Sequence, residues 1–216
     1  HFAVVRRPLG AIEPRTEWRE PPDPTQHAIG AVALGSLALM TRGLPEYEAR
    51  AADRGSELCL TMLRCVGLIS RATDEIETRP MTAGPRMATP EGQCLGRHVL
   101  EYALVFDADQ RSDVALLRAS QDYRSPFLIV PTGADFGPPV TLDGDVVFSC
   151  LKGAQDGDGL ILRLFNPGAA PASVRVGGAV SIERLRLDET CAEPLAERVA
   201  EVGVGEIATL RLRASV

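Results

Sequence analysis

The stretch "ELCLTMLRCVGLIS", Glu57–Ser70, is the most apolar run in the chain, and Arg64 lies in its middle. With a period of two both of its faces are mostly apolar, and with a period of 3.6 no polar stripe emerges. The pattern therefore indicates an element buried on both sides, without distinguishing helix from strand. An unpaired buried cation is costly, so Arg64 should have a carboxylate or carbonyl partner. We expect a structural ion pair; a substrate contact is the alternative if the element lines a cleft.

The surrounding sequence favours strands. The chain has 20 glycines and 16 prolines in 216 residues, and its apolar segments, such as "DVVFSCL", "LILRLFN" and "SVRVG", are short and often alternating. Turn sequences separate them, a pattern typical of an all-β sandwich. In this setting the run 57–70 is predicted to be a central strand covered on both faces, with a bend at Gly67.

A domain boundary is expected near "TGADFGPPVTLDGD". It divides the chain into a large β-sandwich at residues 1–140 and a small C-terminal β-sandwich at residues 141–216. In the second part "DGDG", Asp156–Gly159, lacks the later acidic ligand of a calcium loop and predicts a hairpin turn instead.

One helix is expected at "VALLRASQDY". Asp113 is the predicted cap, and Val114, Leu116 and Leu117 would supply its apolar face.

Composition excludes several classes of function. The net charge of −6 and pI near 5.2 argue against a nucleic-acid partner. No apolar run approaches the roughly 20 residues of a membrane span. The first ten residues do not read as a signal peptide, and we expect the chain to be a piece of a longer protein. The basic residues are almost all arginine, with Lys152 the only lysine, and this bias indicates a GC-rich bacterial genome.

The cysteines indicate a reducing compartment. Their number, five, is odd and fits neither a disulfide framework nor a paired zinc motif. We therefore expect buried, reduced thiols and a location in the bacterial cytoplasm.

Catalytic motifs are not apparent. His1, His27 and His98 are scattered and lie in no zinc-binding motif, and nucleophile-elbow, dinucleotide and P-loop signatures are missing. Cys94 and His98 are the only local thiol–imidazole candidates, and no third group would orient them. Glu46 and Glu48 would share one face of a strand, so they cannot flank a glycosidic bond from opposite sides.

Several phrases, in order, resemble the C-terminal β region of bacterial glycoside hydrolase family 38, the α-mannosidase family. They include "WREPPDPT", "TRGLPEYE", "LTMLRCVGLISR", "TPEGQCLG", "HVLEYAL" and "GEIATLRL", and the ordered matches cover nearly the whole chain. The resemblance implies a large supersandwich, of the galactose-mutarotase-like kind, followed by a small sandwich. It also implies that the run 57–70 is a core strand of the large sandwich.

The resemblance further implies a longer parent enzyme. Family members are retaining α-mannosidases in which an N-terminal barrel carries the nucleophile and a zinc ion. The H-x-D zinc motif and the nucleophile have no counterpart here, so no catalytic residue can be transferred and zinc is expected only in the missing catalytic domain. We expect the chain to be inactive alone and to pack against that domain, which predicts an apolar exposed patch.

The sandwich would form one wall of the pocket for an α-mannoside at the domain junction. Side chains expected to contact sugar hydroxyls are Trp18, Gln26, Glu46, Tyr47 and Gln93. For Tyr47 the alternative is a residue packed on the rim of a turn.

Two other interpretations remain. One is an autonomous carbohydrate-binding sandwich, which an aromatic content of 5% disfavours. The other is a module that forms homo-oligomers through its sheet edges.

Overall fold

A computed structural model describes residues 3–10, 13, 15–17, 22–70, 84–125, 140–178 and 181–213. The chain divides into two compact units, the first formed by Arg6–Ala108 and the second by His1–Val5 together with Asp109–Val216. Both units are built from antiparallel sheets, so the all-β fold class is confirmed. The domain boundary after residue 140 stays a prediction.

The first unit contains two three-stranded antiparallel sheets, with strand orders β1-β4-β5 and β2-β3-β6. Their strands are β1 (Gln26–His27), β2 (Ala31–Leu34), β3 (Leu37–Arg42), β4 (Glu46–Ala52), β5 (Gly55–Leu60) and β6 (Glu101–Val105). The middle strand β3 carries the buried residues Ala38, Leu39 and Met40. A short 3-10 turn of this unit lies at Pro90–Gln93. Two more occur further along the chain, at Ala108–Gln110 and Ala196–Arg198.

The apolar run Glu57–Ser70 is not a central strand. Its regular part ends with β5 at Leu60, and among the described residues β5 pairs with β4 alone. Beyond β5, Val66 and Ile69 are exposed. The prediction of a strand buried on both faces was therefore wrong.

The cysteine prediction was right about free thiols and wrong about burial. All five cysteines are free. Cys59 and Cys150 are half-buried on strands, whereas Cys65, Cys94 and Cys191 are exposed. The exposed three lie outside the regular strands.

The second unit is a small sandwich of a five-stranded and a three-stranded sheet, with orders β12-β11-β14-β9-β8 and β13-β10-β7. Its elements are α1 (Asp113–Arg124), β7 (Thr141–Asp143), β8 (Val147–Gly153), β9 (Leu160–Phe165), β10 (Ala172–Gly177), β11 (Ser181–Leu185), β12 (Glu193–Pro194), β13 (Val199–Val202) and β14 (Ile207–Arg213). Strand β10 alternates buried and exposed residues, as expected where one face of a strand meets a core. The core joins both sheets, with Val174 and Val202 from one meeting Leu164 and Leu210 from the other.

Helix α1 covers part of the opposite face of the five-stranded sheet. Val114 and Leu117 of the helix pack with Val147, Phe165 and Ile207 of the sheet. The predicted helix is thus confirmed.

Its cap is different from the predicted one. The hydroxyl of Ser112 accepts a hydrogen bond from the backbone N–H of Ala115 at 3.1 Å, and Asp113 is the first helical residue. Ser112 has extended backbone angles and a side-chain oxygen in reach of a free N–H, which is what an N-cap requires. Asp113 instead places its charge in the first turn, where the helix dipole favours it.

The segment "DGDG" forms the predicted hairpin turn between β8 and β9. The strands pair on either side of it, and the backbone N–H of Ala154 donates to the carbonyl of Gly159. Asp156 and Asp158 of this turn form ion pairs with Arg211 on β14. The acidic residues therefore bind a strand of the same sheet.

Asn166, a buried residue directly after β9, forms hydrogen bonds with the segment that follows it, with β13 and with Glu206. The amide nitrogen of Asn166 donates to the carbonyls of Ala170 and Val202, and its amide oxygen accepts from the N–H of Gly168. Its backbone N–H donates to the carbonyl of Glu206. All polar groups of this buried side chain are therefore bonded, as buried amides require.

Within the described ranges no helix has the length and hydropathy that crossing a bilayer would need.

Candidate functional site

The pairing of β1 with β4 brings three of the predicted sugar-contacting residues together. Gln26 lies opposite Tyr47, and His27 lies opposite Glu46. Trp18, the fourth, lies outside the described residues. The polar cluster that we call the β1–β4 site is formed by Arg7, Asp23, Gln26, Glu46, Tyr47 and Arg64.

Gln93 lies on the 3-10 turn Pro90–Gln93, and a Cβ placed on Gly67 would lie 2.6 Å from its Nε2, so its amide lies close to Gly67. Gly67 follows Arg64 by three residues, so the segment after β5 connects Gln93 to the β1–β4 site. The sugar contacts assigned to Gln93 and the others stay a prediction.

Arg64 connects two carboxylates across the β1–β4 site. Its Nη1 donates to Oε2 of Glu46 at 2.5 Å, and its Nη2 lies 3.8 Å from Oδ2 of Asp23. The side chain of Arg64 is 67% exposed, whereas that of Glu46 is 18% exposed. The predicted ion pair is therefore present, but at the surface and not in an interior.

Hydrogen bonds from Thr25 favour the ionised form of the Asp23 carboxyl. The hydroxyl and backbone N–H of Thr25 donate to Oδ1 of Asp23 at 2.7 and 2.9 Å. These hydrogen bonds, with Arg64 and His27 adding their charge, lower the pKa of Asp23. The site thus presents a carboxylate whose second oxygen remains able to accept hydrogen bonds.

Arg7 fixes the phenol of Tyr47. Nη1 of Arg7 donates to the Tyr47 hydroxyl at 2.9 Å and to the carbonyl of His27 at 2.6 Å. Its guanidinium carbon lies 5.9 Å from the centroid of the Tyr47 ring, a distance at which a cation is attracted to an aromatic face. Tyr47 is buried, and its hydroxyl accepts the hydrogen bond from Arg7.

The side chains of the β1–β4 site are hydrogen-bonding groups. Carboxylates and a phenol accept and donate bonds to hydroxyl groups, and guanidinium groups hold them in place. Glu46 and Glu48 lie two residues apart on β4, so they share a face as predicted. His98 contacts the backbone carbonyl of Cys94 through Nε2 at 2.6 Å, an arrangement that does not activate a thiol.

Sequence reasoning did not identify Arg7 and Asp23 as members of the site. The segment "DPT" at Asp23–Thr25 carries a local signal, since an aspartate often bonds the residue two positions later. For Arg7 there is no such signal, because its partners lie 20 and 40 residues away.

Exposed apolar side chains lie on β6 and directly after it, in the first unit. Tyr102, Leu104 and Phe106 alternate along the chain, fall on one face and are all exposed, with Phe106 at 66%. Leu95 and Val99, which precede β6, are more exposed still. We call Tyr102, Leu104 and Phe106 the β6 stripe. It provides the exposed apolar surface that the sequence predicts.

Comparison with known proteins gives two matches to glycosidases. A predicted mannosylglycerate hydrolase of Halalkalibacterium halodurans is 27% identical over 179 residues, which is 77% of this chain and 18% of that protein. The crystal structure of an α-mannosidase from Enterococcus faecalis V583 superposes on 98% of this chain and 23% of its own, with a TM-score of 0.67 and 24% identity. The chain resembles one region of an α-mannosidase. No family model matches it.

The two alignments confirm the resemblance to the β-sandwich region of the α-mannosidase family. The solved α-mannosidase shows the fold. The chain spans about a fifth of the length of each relative, so it corresponds to a domain-sized part of a larger glycosidase.

Proposed function

We propose that this chain is an ancillary β-sandwich region of a retaining α-mannosidase, inactive alone, that supports the catalytic domain and forms one wall of its sugar pocket. The β6 stripe is the observation that carries the proposal. Soluble domains rarely expose contiguous apolar surface without a partner for it. Because the matched regions are only 18% and 23% of the two relatives, their greater length supports a partner within the same polypeptide.

The partner of the β6 stripe in this proposal is the N-terminal catalytic domain of the same protein. Burying a large apolar side chain contributes roughly 1.5–3 kcal/mol. Three such residues, Tyr102, Leu104 and Phe106, are enough to favour a stable contact between domains that are already joined by the chain.

The β1–β4 site supplies the sugar contacts. The side-chain oxygens of Asp23 and Glu46 would accept hydrogen bonds from sugar hydroxyls, and the Tyr47 hydroxyl, which accepts from Arg7, would donate one. Gln26 and Gln93 would add amide contacts. Because the relative from Halalkalibacterium halodurans is named for mannosylglycerate, an α-mannoside with an acidic aglycone belongs among the substrates to test.

Zinc belongs to the catalytic domain in this proposal. Among the described residues, no group of three or more His, Cys, Asp or Glu side chains could hold a metal ion. The residues described here therefore do not fit a zinc site, and no step of hydrolysis is assigned to them.

The free thiols fit a bacterial enzyme of mannoside metabolism that acts in the reducing cytoplasm. Homo-oligomerisation through the β6 stripe is the second candidate function, because the same exposed side chains could meet a second copy.

The test compares α-mannosidase activity in three samples supplemented with zinc: this chain, its separately produced N-terminal portion, and their mixture. We expect no turnover by the chain alone and increased turnover by the mixture, with a neutral α-mannoside and with mannosylglycerate as substrates. Turnover by the chain alone overturns the proposal. Light scattering on the same samples distinguishes a dimer of this chain from a complex with the N-terminal portion.

A further inference from the structure

A short antiparallel ladder lies outside the regular sheets of the first unit. The backbone N–H of Ile69 donates to the carbonyl of Met87 at 3.0 Å, and that of Thr89 donates to the carbonyl of Gly67 at 3.0 Å. Between these bonds, Leu68 and Ala88 form an isolated bridge. The segment after β5 is thereby fixed against the segment before the 3-10 turn Pro90–Gln93.

A further backbone bond joins the segment after β5 to the 3-10 turn itself. The N–H of Val66 donates to the carbonyl of Gly92 at 2.9 Å. The two backbones approach closely there, since a Cβ on Gly92 would lie 2.8 Å from the Val66 carbonyl oxygen. The same Gly92 carbonyl lies 3.6 Å from Sγ of Cys94. Because Cys65 directly precedes Val66, this shared carbonyl brings the two cysteines close together at the end of the ladder.

The turn that carries Cys94 is fixed by its own contacts. Cys94 has left-handed backbone angles (φ 51°, ψ 39°), and its N–H donates to the carbonyl of Glu91 at 3.1 Å. His98 contacts the Cys94 carbonyl at 2.6 Å. The position of this cysteine therefore does not depend on a long flexible loop.

The thiols of Cys65 and Cys94 are both exposed. Desolvation raises the pKa of Cys65, and the charge and hydrogen bonding of the Cys94 sulfur raise it further. This influence agrees with the proximity of the two cysteines that the backbone contacts give.

We propose that Cys65 and Cys94 are a reversible redox pair that closes to a disulfide when the chain meets a peroxide. One thiolate attacks the O–O bond of hydrogen peroxide, becoming a sulfenic acid and releasing water after protonation. The second thiol attacks the sulfenic sulfur, forms the S–S bond and releases another water. Two electrons pass from the sulfurs to the peroxide, and a dithiol reverses the change by exchange.

The sequence makes this pair easy to map. Trypsin cleaves after Arg64, Arg71, Arg86 and Arg97, so the two cysteines fall in separate peptides, Cys65–Arg71 and Met87–Arg97, each with one cysteine. A disulfide between Cys65 and Cys94 joins these two peptides, and a reductant separates them.

The experiment treats the reduced 216-residue chain with hydrogen peroxide, alkylates the remaining thiols, digests with trypsin and compares reduced with non-reduced peptide masses. We expect the joined Cys65–Arg71 and Met87–Arg97 peptides as the main oxidised product. Cys65→Ser and Cys94→Ser should each abolish it, whereas Cys191→Ser, at another exposed cysteine, should leave it unchanged. Recovery of either peptide in alkylated or overoxidised form, or joined to another cysteine, overturns the proposal.

Discussion

Arg64 and Glu46 form an ion pair of 2.5 Å between the segment that follows β5 and the first residue of β4. The pair fixes the orientation of the Glu46 carboxylate without using all of its acceptor positions. Since Arg64 is 67% exposed, the ion pair contributes to the geometry of the β1–β4 site more than to the stability of the fold.

The first prediction concerns this ion pair. In the full-length parent enzyme, Arg64→Ala should raise KM with little change in kcat, because a wall of the pocket binds substrate and transition state alike. The free energy of unfolding should fall by less than about 1 kcal/mol. Steady-state kinetics and urea unfolding provide the measurements.

Arg50→Ala is the matched control for Arg64→Ala. Arg50 pairs with Glu57 across β4 and β5, at 2.8 Å and in similar exposure, but outside the β1–β4 site. Equal values of KM in the two variants would show that Arg64 has no role in the pocket.

The second prediction concerns the β6 stripe. Phe106→Asp should weaken binding of this chain to its N-terminal portion by at least about tenfold, because an apolar contact of 1.5–3 kcal/mol is lost. Titration of the N-terminal portion with each variant, followed by recovered activity, measures the change. Val204→Asp, at an exposed apolar residue of the second unit, serves as the control. Unchanged affinity for Phe106→Asp would rule out the β6 stripe as the contact surface.

The third prediction concerns the core of the small sandwich. Leu210 on β14 is fully buried in the cluster that joins the two sheets. Leu210→Ala should lower the free energy of unfolding by about 2–5 kcal/mol, through lost burial and the cavity that it leaves. Leu160→Ala, at an exposed position on the neighbouring β9, should cost about 1 kcal/mol or less. Urea unfolding curves of the two variants test the difference, and equal midpoints would contradict the assigned packing.

The fourth prediction concerns acid stability. A hydrogen bond from Lys152 and another from the N–H of Gln155 lower the pKa of Glu189, with the charge of Arg163 acting in the same direction. A carboxyl whose pKa is lower in the folded state stabilises the fold above its unfolded pKa of about 4.3 and loses this effect as the pH falls towards the folded value.

Glu189→Gln should therefore lower the thermal unfolding midpoint at neutral pH, and the deficit relative to the unmodified chain should shrink below pH of about 4. Thermal unfolding followed by circular dichroism across this range is the measurement. A deficit that is the same at all pH values would show that the carboxylate charge does not contribute.

The small sandwich was the more predictable part of the fold. In β10 the sequence "ASVRVG" alternates with the period of a strand, and the buried and exposed residues follow that alternation. The hairpin at Asp156–Gly159 and the helix Asp113–Arg124 were also predictable, because turn residues and helical periodicity are local signals.

The run 57–70 was not predictable in the same way. Its hydrophobicity indicates that the run is buried, but the sequence does not show which element would cover it. In this chain β5 ends at Leu60, and Val66 and Ile69 beyond it are exposed. Hydrophobic periodicity also gave no sign that Arg7 would meet Tyr47, since that contact joins residues 40 positions apart. Long-range polar contacts depend on the assembled sheet and not on local pattern.

The buried amide of Asn166 affects where a protease can cleave this chain. The segment "NPGAAPA" that begins there is rich in glycine, proline and alanine, and such composition usually marks a place where proteases cleave and where new chain ends are tolerated. Here three side-chain hydrogen bonds secure that segment to its own backbone and to β13. A nick or a circular permutation at this position would free the corner at which both sheets are joined, so limited proteolysis should leave this apparent linker intact.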